Sequence, residues 1–143
     1  MDEILLSTQG LSKSFELGGG LFSKPSRMMA VREVDLSVRR GSVTGIVGES
    51  GCGKSTLARL LLRLIEPTGG MVRFDGTALP KLSRREMRLM RRRMAMVFQD
   101  PYSSLDPRFT IAECLREPFA VQGLAVPEGR IEACCSKWAC HYK

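Results

Sequence analysis

Residues 48–55 read Gly-Glu-Ser-Gly-Cys-Gly-Lys-Ser, and few folds accommodate such a run. Its glycines let the backbone curl tightly where a Cβ would clash or forbid the required angles. Successive N–H groups in such a loop point inward and form a nest for an anion. Upstream, residues 42–47 (SVTGIV) are short, β-branched and bounded by glycine, which predicts a buried strand. Downstream, Leu57, Leu60, Leu61 and Leu64 recur at i, i+3, i+4 and i+7, and Pro67 with Gly69-Gly70 closes the predicted helix. A helix beginning near Lys54 adds the partial positive charge of its N-terminus to the nest. The run fits G-x-x-x-x-G-K-[ST] in full, between a strand and a helix as the pattern requires. It predicts binding of nucleotide phosphates, cradled by Gly48, Glu49, Ser50, Gly51, Cys52 and Gly53. Lys54 would face the β- and γ-phosphates, and the Ser55 hydroxyl would ligate Mg²⁺. The competing explanation is an accidental glycine turn, which a complete match makes rare when glycine is only about 7% of residues. Cys52 occupies a position the pattern leaves free. It serves there as a small residue, although an accessible thiol beside a helix N-terminus is also a candidate reactive group.

The remainder of the chain narrows the context. At 143 residues it is long enough for one compact domain, and its 43% hydrophobic and 26% charged residues exclude wholesale disorder. The longest apolar stretch, residues 57–65, is interrupted by Arg59 and Arg63 and falls far short of a membrane span. The opening MDEILLST is acidic where a secretory signal would be basic, so a cytoplasmic location is expected. The net charge of +7 owes much to Arg84, Arg85, Arg88, Arg91, Arg92 and Arg93. No aromatic residues interleave them for stacking on bases, so a solvated, partner-facing helix is expected, with no direct nucleic-acid binding; lipid phosphates near a membrane are the alternative partner. Five cysteines, an odd number without a secretory signal, predict free thiols.

Other segments read as follows. Residues 4–15 suit an edge strand, and residues 17–29, with Gly18-Gly19-Gly20 and Pro25, read as a loop or mobile insertion. Residues 30–38 alternate imperfectly and suit a half-buried strand. Residues 71–74 form a small strand ended by the Asp75-Gly76 turn signal. Ser83 and Glu86 have capping-box spacing, opening a helix with Met87, Met90 and Met94 on one side. Residues 94–98 (MAMVF) predict a second buried strand, which Gln99-Asp100-Pro101 ends. The chain then looks helical to about residue 130, with breaks at Pro107, Pro118, Gly123 and Pro127.

A phosphate loop alone leaves kinases, GTPases, helicases and transporters open. The flanking residues decide: Leu11-Ser12-Lys13-Ser14-Phe15, residues 30–38 and 41–47, the loop through Thr56-Leu57, and Pro67-Thr68-Gly69-Gly70 with Phe74-Asp75-Gly76 resemble ABC-type ATPases. Residues 97–108, Val-Phe-Gln-Asp-Pro-Tyr-Ser-Ser-Leu-Asp-Pro-Arg, resemble the glutamine loop of ATPase subunits of oligopeptide and dipeptide importers. The resemblance covers residues 4 to about 131. It implies an α/β fold: the N-terminal part of the P-loop NTPase ABC ATPase fold, with an antiparallel β subdomain and an incomplete parallel core sheet with helices. It implies that Phe15 stacks on adenine, that Thr56 joins the nucleotide-binding residues, and that Gln99 reaches Mg²⁺ and the attacking water. Against these stand an ordinary edge-strand apolar residue for Phe15 and a turn former for Gln99. The implied partners are membrane-spanning permease subunits, a second ATPase subunit and, indirectly, a peptide-binding protein, placing the chain peripherally on the inner face of the cell membrane. A soluble ABC ATPase and a free-standing P-loop nucleotide-binding or kinase-like protein are the alternatives.

Such a family also needs a Leu-Ser-Gly-Gly-Gln-type signature, an apolar strand ending in Asp-Glu, and a switch histidine. The sequence contains neither motif, and its single histidine, His141, lacks the family context. Binding without efficient hydrolysis is therefore expected of this chain. Residues 1–131 read as the N-terminal portion of one ABC ATPase domain, and 132–143 as a non-family tail. From Cys134 the text becomes Cys-Cys-Ser-Lys-Trp-Ala-Cys-His-Tyr-Lys, whose spacing fits no usual structural zinc site. With GC-rich codons, residues 133–143 shifted to the third base read Leu-Leu-Leu-Gln-Val-Gly-Leu-Pro-Leu-Gln, a helix end followed by a Gly/Pro stop. A frameshifted, poorly packed tail is expected. Sequencing the locus should show the shifted frame running on into signature and Asp-Glu motifs; an intact frame with no such motifs downstream would contradict it.

Overall fold

The computed structural model describes residues 3–18, 26–100 and 105–137. They belong to two compact units, Met1–Ala95 and Met96–Lys143.

The first unit is built on a four-stranded antiparallel sheet of order β2-β1-β3-β4, comprising β1 (Ile4–Leu17), β2 (Ser26–Arg39), β3 (Gly69–Phe74) and β4 (Thr77–Ala78). β1 pairs with β2 along almost its whole length and with β3 from Leu6 to Ser12. It is therefore an inner strand and not the edge expected from sequence, because the chain returns after a helix to pair on its other side. The pairing continues to Leu17 opposite Ser26, so the predicted 17–29 insertion is narrower than expected. Its residues 19–25 lie outside the described residues. The imperfect alternation of β2 has a local cause. Arg32 and Glu33 are consecutively exposed, Glu33 adopts φ 45°, and the register with β1 shifts there. The hydroxyl of Ser12 accepts the Glu33 N–H at 2.9 Å and secures the bulge.

Helix α1 (Lys54–Leu61) packs Leu60 against the sheet. Leu60 is buried with Leu11, Val31, Val72, Phe74, Leu79 and Met87, and Leu57, Leu61 and Ile65 join from the rim. Such burial contributes roughly 1.5–3 kcal/mol per large side chain. The β3–β4 hairpin turns on Asp75 and Gly76, with φ of 49° and 75°, the two positive angles of a tight two-residue turn. Hydrogen bonding from Arg93, then the charges of Arg93 and Arg40, hold the Asp75 carboxyl below its usual range. Helix α2 (Arg84–Met90) begins at the expected capping box: Ser83 Oγ accepts from the Glu86 N–H, and the Glu86 carboxylate accepts from the Ser83 N–H. Met87 is buried, with Met90 and Met94 packed beside it.

Two predicted strands do not form. Residues 42–47 have no regular structure, with Val43 fully exposed and Val47 94% exposed, and residues 94–98 leave Val97 93% exposed. A buried parallel strand exists only between neighbours that complete its ladder and cover both faces. Among the described residues no strand supplies them.

In the second unit, α3 (Ile111–Gln122) starts at a capping box of Thr110 and Glu113 and ends at Gly123, φ 66°. The Leu124 N–H returns to the Phe119 carbonyl and the Gly123 N–H to that of Ala120, satisfying the final turn. The helix runs through Pro118, where a break was expected. Both ends are capped, which offsets part of the roughly 3 kcal/mol that an internal proline costs. Helix α4 (Arg130–Lys137) buries Ile131 and Cys135, one turn apart, while Ser136 and Lys137 are exposed. Residues 138–143, with Cys140 and His141, lie outside the described residues. Cys52, Cys114, Cys134 and Cys135 are free thiols. Among the described residues no helix is long and apolar enough to cross a membrane.

Two glycines of one hairpin separate strain from collision. Gly70 has φ 81°, and an added Cβ would lie 2.3 Å from the Gly10 carbonyl oxygen. Gly76 has a similar φ with nothing within 4 Å. Gly76→Ala should cost about 1 kcal/mol, and Gly70→Ala more than about 3 kcal/mol, in urea unfolding. Equal losses would contradict the close approach of β3 to β1.

Candidate functional site

The glycine loop lies between the unpaired segment 42–47 and α1 and rests on β2. Gly53 is the contact point: it has φ 98°, and a Cβ there would sit 2.3 Å from the Ala30 carbonyl oxygen and 3.7 Å from Val31 Cγ2. Only glycine allows both the angle and the approach. Gly51, φ 81°, supplies a second left-handed step. A Cβ on Gly48 would meet Cys52 Sγ at 2.7 Å, so the thiol lies against the start of the loop. Between loop and strand is a cavity of about 420 Å³, whose lining includes Ala30, Val31, Ile46, Val47, Gly53 and Lys54.

Helix α1 opens directly from this loop. Its first i to i−4 bond is Leu57 N–H to the Gly53 carbonyl at 2.8 Å. The amides of Lys54, Ser55 and Thr56 precede it and so have no carbonyl within the helix to bond. They carry the helix's partial positive charge at the mouth of the loop. The Lys54 ammonium folds back over the loop, donating to the carbonyls of Gly48 at 2.7 Å and Glu49 at 2.5 Å, and lies 3.6 Å from Cys52 Sγ. The arrangement holds a point charge and a set of amides around one small concavity, which is chemistry for an anion. Ser55 is exposed on the first turn beside Lys54. Its hydroxyl is the kind of hard oxygen ligand that Mg²⁺ takes together with phosphate and water.

Phe15 is near the end of β1, opposite Met28, with 37% of its surface exposed. The Lys13 ammonium lies over its ring, 5.1 Å from the centroid. This contact was not anticipated from sequence; the signal was Lys-x-Phe on a strand, which places both residues on one face. Nor was the role of Ala30, whose backbone carbonyl leaves no trace in side-chain pattern. Gln99 belongs to the second unit, where it is exposed outside any helix or strand. The adjoining residues 101–104 lie outside the described residues. All six arginines of 84–93 singled out above are exposed. Two of them turn onto their own fold: Arg93 pairs with Asp75 and covers the Phe74 ring, and Arg91 donates to the Arg63 carbonyl.

The sequence profile of the ABC transporter family matches residues 31–140. This chain belongs to the ABC transporter family. A Brucella ovis protein named for peptide import and ATP binding is 45% identical over 128 residues, which are 90% of this chain and 38% of that protein. The oligopeptide transport ATP-binding protein AppF of Bacillus subtilis is 40% identical over 132 residues, 91% of this chain and 40% of that protein. The ABC chain thus spans about two fifths of the length of these relatives. Its fold matches the dimeric bacterial ABC transporter cassette MJ0796 with a TM-score of 0.74 at 26% identity, covering 94% of this chain and 57% of that one. The same cassette in a post-hydrolysis state, bound to ADP and Pi, matches at the same score. The fold is the α/β fragment of an ABC ATPase that the sequence led us to expect, with its antiparallel sheet and helices formed.

Proposed function

We propose that this chain is the ATP-binding portion of an ATPase subunit that energises uptake of oligopeptides or dipeptides through a membrane permease. The observation that carries the proposal is the Gly48 to Ser55 loop. It is docked on β2 through Gly53, topped by the Lys54 ammonium and continued by the first turn of α1. The names of the peptide-import relatives support the transported class. In this reading Gly48, Glu49, Ser50, Gly51, Cys52 and Gly53 wrap the phosphates. Lys54 and the amides of Ser55 and Thr56 carry the opposing charge, and Phe15 is the platform for adenine. Ser55 would hold Mg²⁺, which supplies charge neutralisation between phosphates.

The partners in this reading are permease subunits and a second ATPase subunit, with the assembly on the cytoplasmic face of the membrane. Turnover needs positioned water, metal and charge together. The sequence supplies neither an Asp-Glu strand end nor a signature motif, so the chain by itself binds ATP and turns it over poorly.

Titration calorimetry with Mg-ATP should show weak binding by this chain. Lys54→Ala should reduce the affinity at least about tenfold, as expected for losing a charge-assisted contact to phosphate. ATPase activity should not rise above that of the Lys54→Ala protein. Equal affinities for the two proteins would refute the assignment, and Lys54-dependent turnover would show that a catalytic carboxylate is present, with Glu86, Asp100 and Asp106 the first to test.

A further inference from the structure

Lys13 and Phe15 are two residues apart on β1, and the Lys13 ammonium sits over the Phe15 ring at 5.1 Å. The same ammonium donates to the Glu66 carbonyl oxygen at 2.7 Å. Glu66 follows α1, and the neighbouring Thr68 bonds the Ser12 carbonyl through its N–H at 2.9 Å and accepts the Ser14 N–H at 3.1 Å. A backbone acceptor on a strapped segment thus fixes the cation over the ring. Across the sheet Lys13 pairs with Val31, the residue that lies 3.7 Å from a Cβ built on Gly53. The cation, the ring and the phosphate loop therefore flank one stretch of β2.

We propose that Lys13 is a positioning residue for the nucleotide base, acting through Phe15. The inference rests on the reading of Phe15 as the adenine platform. An aromatic ring is electron-rich on both faces, and adenine is too, so like quadrupoles oppose a fully face-to-face stack and favour an offset one. A cation on one face draws π density toward itself and leaves the opposite face better suited to a second electron-rich ring. It also holds the ring in one orientation before the base arrives, which lowers the ordering cost of binding. Lys13 touches neither base nor phosphate. Adenine takes the Phe15 face turned away from the ammonium.

The test uses the full chain and two probes, Mg-ATP and Mg-tripolyphosphate, which shares the phosphates and lacks the base. Lys13→Gln keeps a donor for the Glu66 carbonyl while deleting the charge, and Lys13→Arg keeps the charge. Lys13→Gln should weaken Mg-ATP about two- to fivefold, leave Mg-tripolyphosphate unchanged, and lose its effect in a Phe15→Ala background. Lys13→Arg should bind Mg-ATP like the parent. Equal weakening of both probes by Lys13→Gln would overturn the proposal, making Lys13 a phosphate contact or a purely structural tie. If Phe15→Ala weakens Mg-ATP but Lys13→Gln does not, the proposal falls while the adenine reading stands. If Phe15→Ala leaves Mg-ATP binding intact, the adenine reading itself fails and the proposal with it.

Discussion

Everything at the candidate site depends on how one short helix is seated. α1 has eight residues, too few to be stable alone in water. It is held because Leu60 enters the core formed by Leu11, Val31 and Val72. That burial fixes the helix axis, and the axis decides where its first-turn amides point. At the N-terminal end the backbone comes so close to β2 that only glycine fits at position 53. At the far end, Lys13 and Thr68 tie the segment after the helix to β1. A helix fixed at both ends by different strands of one sheet can present its first-turn amides to an anion without further ordering, while the Lys54 ammonium exchanges the Gly48 and Glu49 carbonyls for it.

The same logic links packing to chemistry elsewhere in this unit. Residue 31 both fills the core and forms the floor beneath Gly53, so the apolar cluster and the anion cradle share a wall. The β3–β4 hairpin returns Asp75 to Arg40 and Arg93, closing the sheet edge next to the Phe74 ring. These ion pairs are largely exposed and contribute little individually. They matter as fasteners for the turn, which has two positive φ angles in succession.

Local chemistry was legible in the sequence and non-local pairing was not. The glycine loop, the Ser83–Glu86 capping box and the Asp75-Gly76 turn are each specified within eight residues, and each forms as expected. The Thr110–Glu113 box was equally readable from its spacing and was overlooked. β1 was recognised as a strand, but its inner position depends on β3, more than fifty residues later. Residues 42–47 and 94–98 have the composition of buried strands and remain unpaired, because β propensity records fitness for a covered, pleated surface and does not provide the neighbours. The ring contact of Lys13 had a local signal in Lys-x-Phe on one strand, whereas the approach to the Ala30 carbonyl arises from tertiary placement, so its residue type gave little warning. The role of Gln99 was drawn entirely from family wording, and its segment carries no local geometry that would imply it.

In this reading the amides of the glycine loop and the first turn of α1 form the anion cradle. Amide hydrogen exchange, followed residue by residue with and without millimolar Mg-ATP, addresses it directly. Backbone N–H groups that bond phosphate exchange more slowly, whereas exposed loop amides exchange freely. Exchange at Gly51, Gly53, Lys54, Ser55 and Thr56 should slow on nucleotide addition, and by more than at the exposed strand termini of the same sheet. Unchanged exchange at these five amides in the presence of Mg-ATP, or protection confined to some other part of the chain, would contradict it.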